Sequence, residues 1–371
     1  MWSEGTFFVD AKLSPNRSLN LSGIGLASVL ALLLTATSII LDGIGNRNPL
    51  QITSLSLPLL LSAAGAGILG QWVIPVLQAL KTGQIIREDG PQAHLKKAGT
   101  PTMGGIFFIP VAVVVACILS DFNQDVLAVS ALTLSYGLIG WIDDWQILRR
   151  KSNKGISPKM KLMLQIIFAT LFCGWLILKG DFSITNIHLP WLGLSLPLGL
   201  LFWPLAGFVL VAESNATNLT DGIDGLAAGT VAIAIFALGV IIASTSPELM
   251  VFCAAVSGSC LGFLAHNRNP ARVFMGDTGS LALGGALAAV ALITNTLPAL
   301  FVLSGIFFVE TLSVMAQVGY YKATKGPDGK GKRLLKMAPL HHHLELTGWS
   351  ELKVVGVFYI IAAILAVLVA L

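Results

Sequence analysis

Apolar residues in this chain run continuously for long stretches, without the alternation of a half-buried strand or the one-sided stripe of a surface helix. A helix crossing a bilayer needs about 20 such residues. Eleven stretches of roughly that length can be read: 22 to 41, 54 to 80, 103 to 120, 126 to 144, 159 to 178, 195 to 213, 226 to 244, 248 to 266, 278 to 297, 299 to 321 and 352 to 371. They use about 220 residues of the 371. The remaining connectors are too short for a separate soluble domain of usual size. The expected fold is therefore all-α, a polytopic integral membrane helix bundle of about 10–11 transmembrane helices. Residues 1–53 are expected to form a tail with an extra transmembrane helix, and residues 54–371 one polytopic domain.

Composition agrees with this. The chain is 55% hydrophobic and 11% charged, against about 25% charged in an ordinary soluble domain. A soluble enzyme, a disordered chain, a collagen and a disulfide scaffold are excluded. The first stretch is too long for a signal-peptide core and is read as a retained helix. Cys117, Cys173, Cys253 and Cys260 lie in apolar segments and read as small packing residues.

Basic residues set the orientation, because they collect in short cytoplasmic loops. With residues 81–102 cytoplasmic, alternation also places 1–21, 145–161, 214–225, 267–277 and 322–353 on that side. Of the 23 lysines and arginines, only Arg47 and Lys179 fall elsewhere. One missed helix would invert every later loop, so the asymmetry supports the segment count too. The formal net charge of +4 is thus a topology signal and calls for no nucleic acid. The glycosylation-like triplets at Asn20, Asn215 and Asn218 lie on the cytoplasmic side, where they are not modified.

Five carboxylates, Asp143, Asp144, Asp221, Asp224 and Asp277, gather at that same face from three separate loops. Charge near a membrane helix is costly and asks for a reason. In Gly140-Trp-Ile-Asp-Asp-Trp145, an apolar helix ends in adjacent acids that point about 100° apart, so they serve different partners; taken alone, they also fit a solvated helix end. Asn215, Asn218, Asp221 and Asp224 recur every third residue, and Gly222 and Gly225 favour a turned loop that approaches a polar ligand. The alternative is an ordinary connector, although this loop carries no lysine or arginine. Phe274-Met-Gly-Asp-Thr-Gly-Ser280 precedes a helix that Asp277 or Thr278 can cap and whose N-terminus favours phosphate. Pro339-Leu-His-His-His-Leu-Glu345 places His341, His342 and His343 in a long basic loop. Their spacing does not suit zinc, and anion binding or acid–base work fits better than a bland cluster. Lys96 to Gly105 is basic and glycine-rich without a Walker A ending, so no ATPase is read; Lys97 and Thr102 suit a phosphate. Together these groups suit Mg²⁺-assisted phosphoryl transfer between a lipid phosphate and a nucleotide diphosphate.

Gly99-Thr-Pro-Thr-Met-Gly-Gly105, Asp143-Asp144, Asn215 to Gly225, Phe274 to Ser280 and Pro339 to Glu345 resemble, in order, the motifs of the phospho-N-acetylmuramoyl-pentapeptide transferase family. The resemblance covers about residues 54 to 371. It implies transfer of phospho-N-acetylmuramoyl-pentapeptide from UDP-N-acetylmuramoyl-pentapeptide to undecaprenyl phosphate, giving UMP and the first lipid intermediate of peptidoglycan, with Mg²⁺ as cofactor. By motif position, Asp143 matches the proposed base, Asp144 its acidic neighbour and Asp277 the metal-binding carboxylate. Lys97, Thr102, Asn215, Asn218, Asp221, Asp224, Asn267, Phe274, Gln317 and His343 match or flank the substrate pocket, and His341 and His342 the histidine motif. The setting implied is a bacterial inner membrane with its lipids and a cytoplasm-facing site; a homodimer is left open. Such enzymes have ten helices with both ends outside, so the stretch at 22 to 41 is an extra helix that puts this N-terminus inside.

Two other readings compete. A transferase using UDP-N-acetylglucosamine would share the aspartates and Mg²⁺, though the histidine and Gly-Thr-Pro-Thr-Met-Gly-Gly segments favour the muramoyl-pentapeptide donor. A secondary transporter would want polar midplane residues in paired interrupted helices, whereas only Glu310 is placed deep in a helix.

Overall fold

A computed structural model of the chain describes residues 22–80, 97, 99–150 and 155–370. The basic segments at 1–21 and 81–96, and Lys151 and Lys154, which entered the orientation argument, lie outside the described residues. Among those described, the helices are α1 (Gly23–Ile44), α2 (Ser56–Ala79), α3 (Gly105–Leu119), α4 (Gln124–Arg150), α5 (Pro158–Lys179), α6 (Phe202–Thr220), α7 (Leu226–Ile241), α8 (Pro247–Asn267), α9 (Gly276–Ile293), α10 (Leu297–Leu303), α11 (Gly305–Ala323), α12 (Leu340–Leu346) and α13 (Glu351–Ala370). Each of the eleven apolar stretches forms a helix. The tenth is broken, with α10 and α11 meeting at 68°. Among the described residues, eight helices are long and apolar enough to cross a membrane, nine with the bent pair counted as one span, and α3 and α7 are shorter apolar helices.

Three features depart from expectation. The stretch near 195 to 213 begins later, because residues 186–197 fold into a small antiparallel hairpin, β1 (Asn186–Leu189) with β2 (Leu194–Pro197). The helix also runs on to Thr220, which puts Glu213 well inside α6, where Ser304 Oγ at the α10–α11 break donates to it at 2.6 Å. Glu310 is therefore not alone as a buried helical acid. The histidine motif, expected in a loop, opens the short helix α12.

The layers follow from side-chain size. The most apolar windows of α8 and α9 are 94% and 83% buried, whereas those of α1, α2, α5 and α13 are 17–28% buried. The outer helices show Leu32, Leu33, Trp72, Leu171 and Ile364 outward, a surface that only lipid solvates well. The inner helices are rich in small residues, which let backbones meet in place of a hydrophobic driving force. At Gly258 and Gly262 on α8, an added Cβ would strike the α2 carbonyls of Leu59 and Ala63. Helix α1 is tied in at its far end: Asp42 accepts from Leu55 N at 2.9 Å, Ser56 N at 3.0 Å, Ser56 Oγ at 2.7 Å and Arg47 Nε at 3.2 Å. The alternation of helix directions leaves the candidate residues together at the opposite end.

Candidate active site

The site grows from the contact between α4 and α9. Gly140 lets the α4 backbone lie against the start of α9, where a Cβ would collide with the Asp277 carbonyl. That approach carries the two adjacent acids of α4 to the N-terminus of α9, and they diverge as helical spacing requires. Asp144 Oδ2 accepts from Thr278 N at 3.0 Å and Thr278 Oγ1 at 2.7 Å, and its Oδ1 from Asp277 N at 3.3 Å. Helix α9 is thus capped by Asp144 from α4, and not by Asp277 or Thr278; its own cap position, Met275, makes no side-chain bond. Three donors hold Asp144 in place, and an acid this occupied positions its neighbours.

Asp143, on the adjoining face, accepts from Ile156 N at 2.8 Å and meets the Asp277 carboxyl side by side. Asp277 is bridged to Lys161 of α5 and receives Asn218 Nδ2 at 2.8 Å. Asn218 also reaches Ser280 Oγ at 2.8 Å. Lys161 and Asn218 from α5 and α6 therefore bracket the carboxylate that α9 presents. Helix α6 continues through Asn215 and Asn218 as far as Thr220, so only residues 221–225 form the expected turn. On that helix the two asparagines drift apart. Asn215 faces α5, donating to Gln165 Oε1 at 3.0 Å, while Gln165 donates to Ser214 Oγ at 2.9 Å.

The turn then places Asp221 beside the cluster. Burial, with the Asp277 and Asp224 charges added, pushes the Asp221 carboxyl up to about 7, against a lowering bond from the Gly276 backbone. Among the described residues, Lys161 faces Asp277 and Asp143, and Asp221 lies beside Asp277 and Asp224. The group carries surplus negative charge, and the sign and oxygen chemistry of these donors fit a hard divalent cation. Among the described residues no three His, Cys, Asp or Glu side chains form a complete metal cage. Mg²⁺ does not require one, because it is held by one or two carboxylates, waters and substrate phosphates.

A second knot lies alongside. Lys97 Nζ sits 2.7 Å from Asp224 Oδ1 and 2.5 Å from Glu351 Oε1 of α13. Asn269 Nδ2 joins the two acids at 3.1 and 2.8 Å. Thr102 is buried near Gly276. Phe274 is fixed through its backbone, accepting from Gly104 N at 2.9 Å and donating to Pro101 O at 2.8 Å. Asn267 clamps the two loops together, accepting from Gly225 N at 3.0 Å and donating to Val273 O at 2.9 Å.

The histidine motif reaches the same turn from α12. His341 lies beneath Gly222, and its Nδ1 is 3.0 Å from Glu310 Oε2. His342 Nδ1 is 2.9 Å from Glu345 Oε2. His343 Nδ1 accepts from Lys336 N at 3.1 Å, and Gln317 Oε1 accepts from Leu334 N and Leu335 N at 3.0 and 2.8 Å. These last two residues brace the basic segment. Sequence reasoning missed Lys161, which was counted among the topological lysines, and also Asn269, Glu351 and the pairing of Glu310. The only signals were a charge at the first turn of an apolar helix, for Lys161 and Glu351, and a lone acid within one, for Glu310.

Comparison with known proteins follows this geometry. Residues 126–295 match the model of glycosyl transferase family 4, and residues 97–109 match the phospho-N-acetylmuramoyl-pentapeptide-transferase signature 1. A phospho-N-acetylmuramoyl-pentapeptide-transferase of Nostoc punctiforme is 79% identical over 96% of this chain and 99% of its own. That of Trichormus variabilis is 79% identical over 97% and 98%, and that of Synechocystis 57% over 94% and 95%. The signature falls on the segment that pairs with Phe274, and the family 4 match spans both acid-bearing helices. With near full-length identity added, and with its own long apolar helices marking it as a multi-pass bacterial membrane protein, the chain belongs to the phospho-N-acetylmuramoyl-pentapeptide transferase family.

Proposed function

We propose that this protein transfers phospho-N-acetylmuramoyl-pentapeptide from UDP-N-acetylmuramoyl-pentapeptide to undecaprenyl phosphate, releasing UMP on the cytoplasmic face of a bacterial inner membrane. The observation that carries the reading is the meeting of Asp143, Asp277, Lys161 and Asn218 at one end of the bundle. A lipid phosphate arrives from the bilayer and a nucleotide from the water, so a bundle end is where they can meet.

An oxygen of the lipid phosphate forms a bond to the β-phosphorus of the nucleotide, and the bond from that phosphorus to the UMP oxygen breaks. Asp143 takes any proton remaining on the attacking phosphate and orients it. Lys161 offsets charge on the phosphoryl oxygens, and Asp144 keeps Asp277 in register by holding the α9 N-terminus. Asp277, with Asp221 beside it, would hold Mg²⁺, which would neutralise phosphate charge when bound. Lys97, Thr102, Asn218, Asp224 and Phe274 line the nucleotide side in this reading. Asn215, Asn267 and Gln317 act behind them through the contacts described above.

The test is UMP release and lipid-product mass from purified protein with both defined substrates and Mg²⁺. Formation of the lipid-linked muramoyl-pentapeptide is expected. Preference for UDP-N-acetylglucosamine in a donor competition would replace this donor with the other, and solute movement in liposomes without UMP release would reject the transferase.

A further inference from the structure

Helix α1 brings no chemistry to the site, yet it ends against it. Residues 23–34 carry no ionisable side chain. Its inward stripe, Gly23, Leu30, Leu34, Ser38 and Asp42, is buried, while Leu32, Leu33 and Ile40 face outward. The two ends of that stripe lie about 28 Å apart, and each is seated on a backbone segment. Asp42 holds the far end through the α2 N-terminus. At the site end Gly23 packs directly on Asn269, where any Cβ would collide with the Asn269 carbonyl. Ser22 Oγ closes that first turn, accepting from Gly25 N at 2.9 Å. Asn269 opens the strap that runs to Phe274. Its Nδ2 donates to Asp224 Oδ2 at 3.1 Å and to Glu351 Oε2 at 2.8 Å, and Ala271 N donates to the same Asp224 oxygen at 3.0 Å. Asp224 thus takes two of its donors from a segment that rests on α1.

We propose that α1 is a positioning helix for the nucleotide side of the site, with Gly23 setting the height of Asn269 and, through it, the orientation of Asp224. The nucleotide assignment rests on the transferase reading above, but the mechanical link does not. Backbone packed on backbone is a stiff contact, because neither partner has a rotamer to change and a close-packed interior transmits strain. A side chain at position 23 must therefore lift the strap or tilt the helix. The Asp42 anchor resists the tilt, so the strap is what moves. A lifted strap draws Asn269 Nδ2 and Ala271 N away from Asp224, beside Lys97. Asp143, Asp277 and Lys161 stand on other helices and keep their places, so nucleotide binding suffers before turnover does.

The experiment measures KM for UDP-N-acetylmuramoyl-pentapeptide, kcat and melting temperature in wild type, G23A, G23L, G43A and N269A. Amide hydrogen exchange over residues 268–274 is recorded without substrate. G23L is expected to raise KM about tenfold with kcat changed far less, and to speed exchange at the Ala271 amide. G23A should do the same to a smaller degree, and carries the test if G23L does not fold. G43A adds the same methyl to the same helix where nothing lies within 4 Å, and should match wild type throughout. N269A keeps the seat, deletes the joint to Asp224 and Glu351, and should raise KM by a similar factor. Wild-type KM in both Gly23 variants would overturn the proposal, as would wild-type KM in N269A or an equal change in G43A. A lowered melting temperature with KM and exchange unchanged would also overturn it, leaving the contact as packing. Failure of wild type to release UMP would reject the transferase reading instead. The exchange comparison needs no substrate, and unchanged exchange in G23A and G23L would still overturn the link.

Discussion

Two carboxylates, Asp42 fully buried and Asp277 partly so, stand beside helix starts on opposite ends of this bundle, and they differ in what surrounds them. At the far end, Asp42 of α1 meets two backbone N–H groups, a serine hydroxyl and an arginine at the start of α2. Its charge is balanced and its oxygens are used. At the site end, Asp277 is bridged to Lys161 and meets Asp143, and burial, with the Asp277 and Asp224 charges added, pushes the Asp221 carboxyl beside them up to about 7. A saturated carboxylate builds structure, whereas a group of carboxylates short of positive charge is arranged for something that arrives later. Asp144, beside Asp143 in sequence, belongs with Asp42 by this criterion.

The contrast is sharpest in the effect of Asp277→Asn. It should lower UMP release by about a thousandfold while leaving the melting temperature nearly unchanged; an active variant would remove Asp277 from the reacting centre. Lys161→Met, which keeps the stem and deletes the charge, should cost about a hundredfold in rate. A wild-type rate there would make the lysine a structural counterion only. Asp42→Ala should reverse the pattern, with kcat retained and stability lowered by about 3 kcal/mol, because Arg47 and the α2 N-terminus lose their acceptor. Thermal unfolding in detergent beside the activity assay checks both halves.

The smallest expected effect concerns pH. Asp221 has a folded value near 7 against an ordinary value of about 3.9. Between these limits the folded state binds the extra proton, so stability falls as pH rises. Asp221→Asn removes that penalty. In metal-free buffer its melting temperature should match wild type at acid pH and exceed it increasingly up to about pH 7. A difference that does not change with pH would contradict the crowding at this turn.

The eleven apolar stretches were legible as helices because uninterrupted apolar runs report a membrane setting directly, although two of them, α3 and α7, are shorter than a full span. The acid-bearing motifs were legible because charge at a membrane helix end is conspicuous. What stayed hidden was pairing. Lys161 lay among six basic residues of one connector and looked like topology, and only the approach of α5 to α9 singles it out. The cap of α9 was sought in Asp277 and Thr278, next to it in sequence, but Asp144 supplies it from another helix. The spacing of Asn215 and Asn218 could not say where α6 ends, so one asparagine expected at the ligand turns toward Gln165 instead. The bend at Ser304 also left no mark, because hydropathy continues through it.

The most direct test is a Mg²⁺ titration of UMP release with both substrates in wild type, Asp277→Asn and Asp42→Asn. Saturable Mg²⁺ dependence in wild type and Asp42→Asn, with little turnover at any Mg²⁺ concentration in Asp277→Asn, is the result expected. Equal titration curves for all three would contradict the account, since the unbalanced cluster would then be no more than a second structural knot.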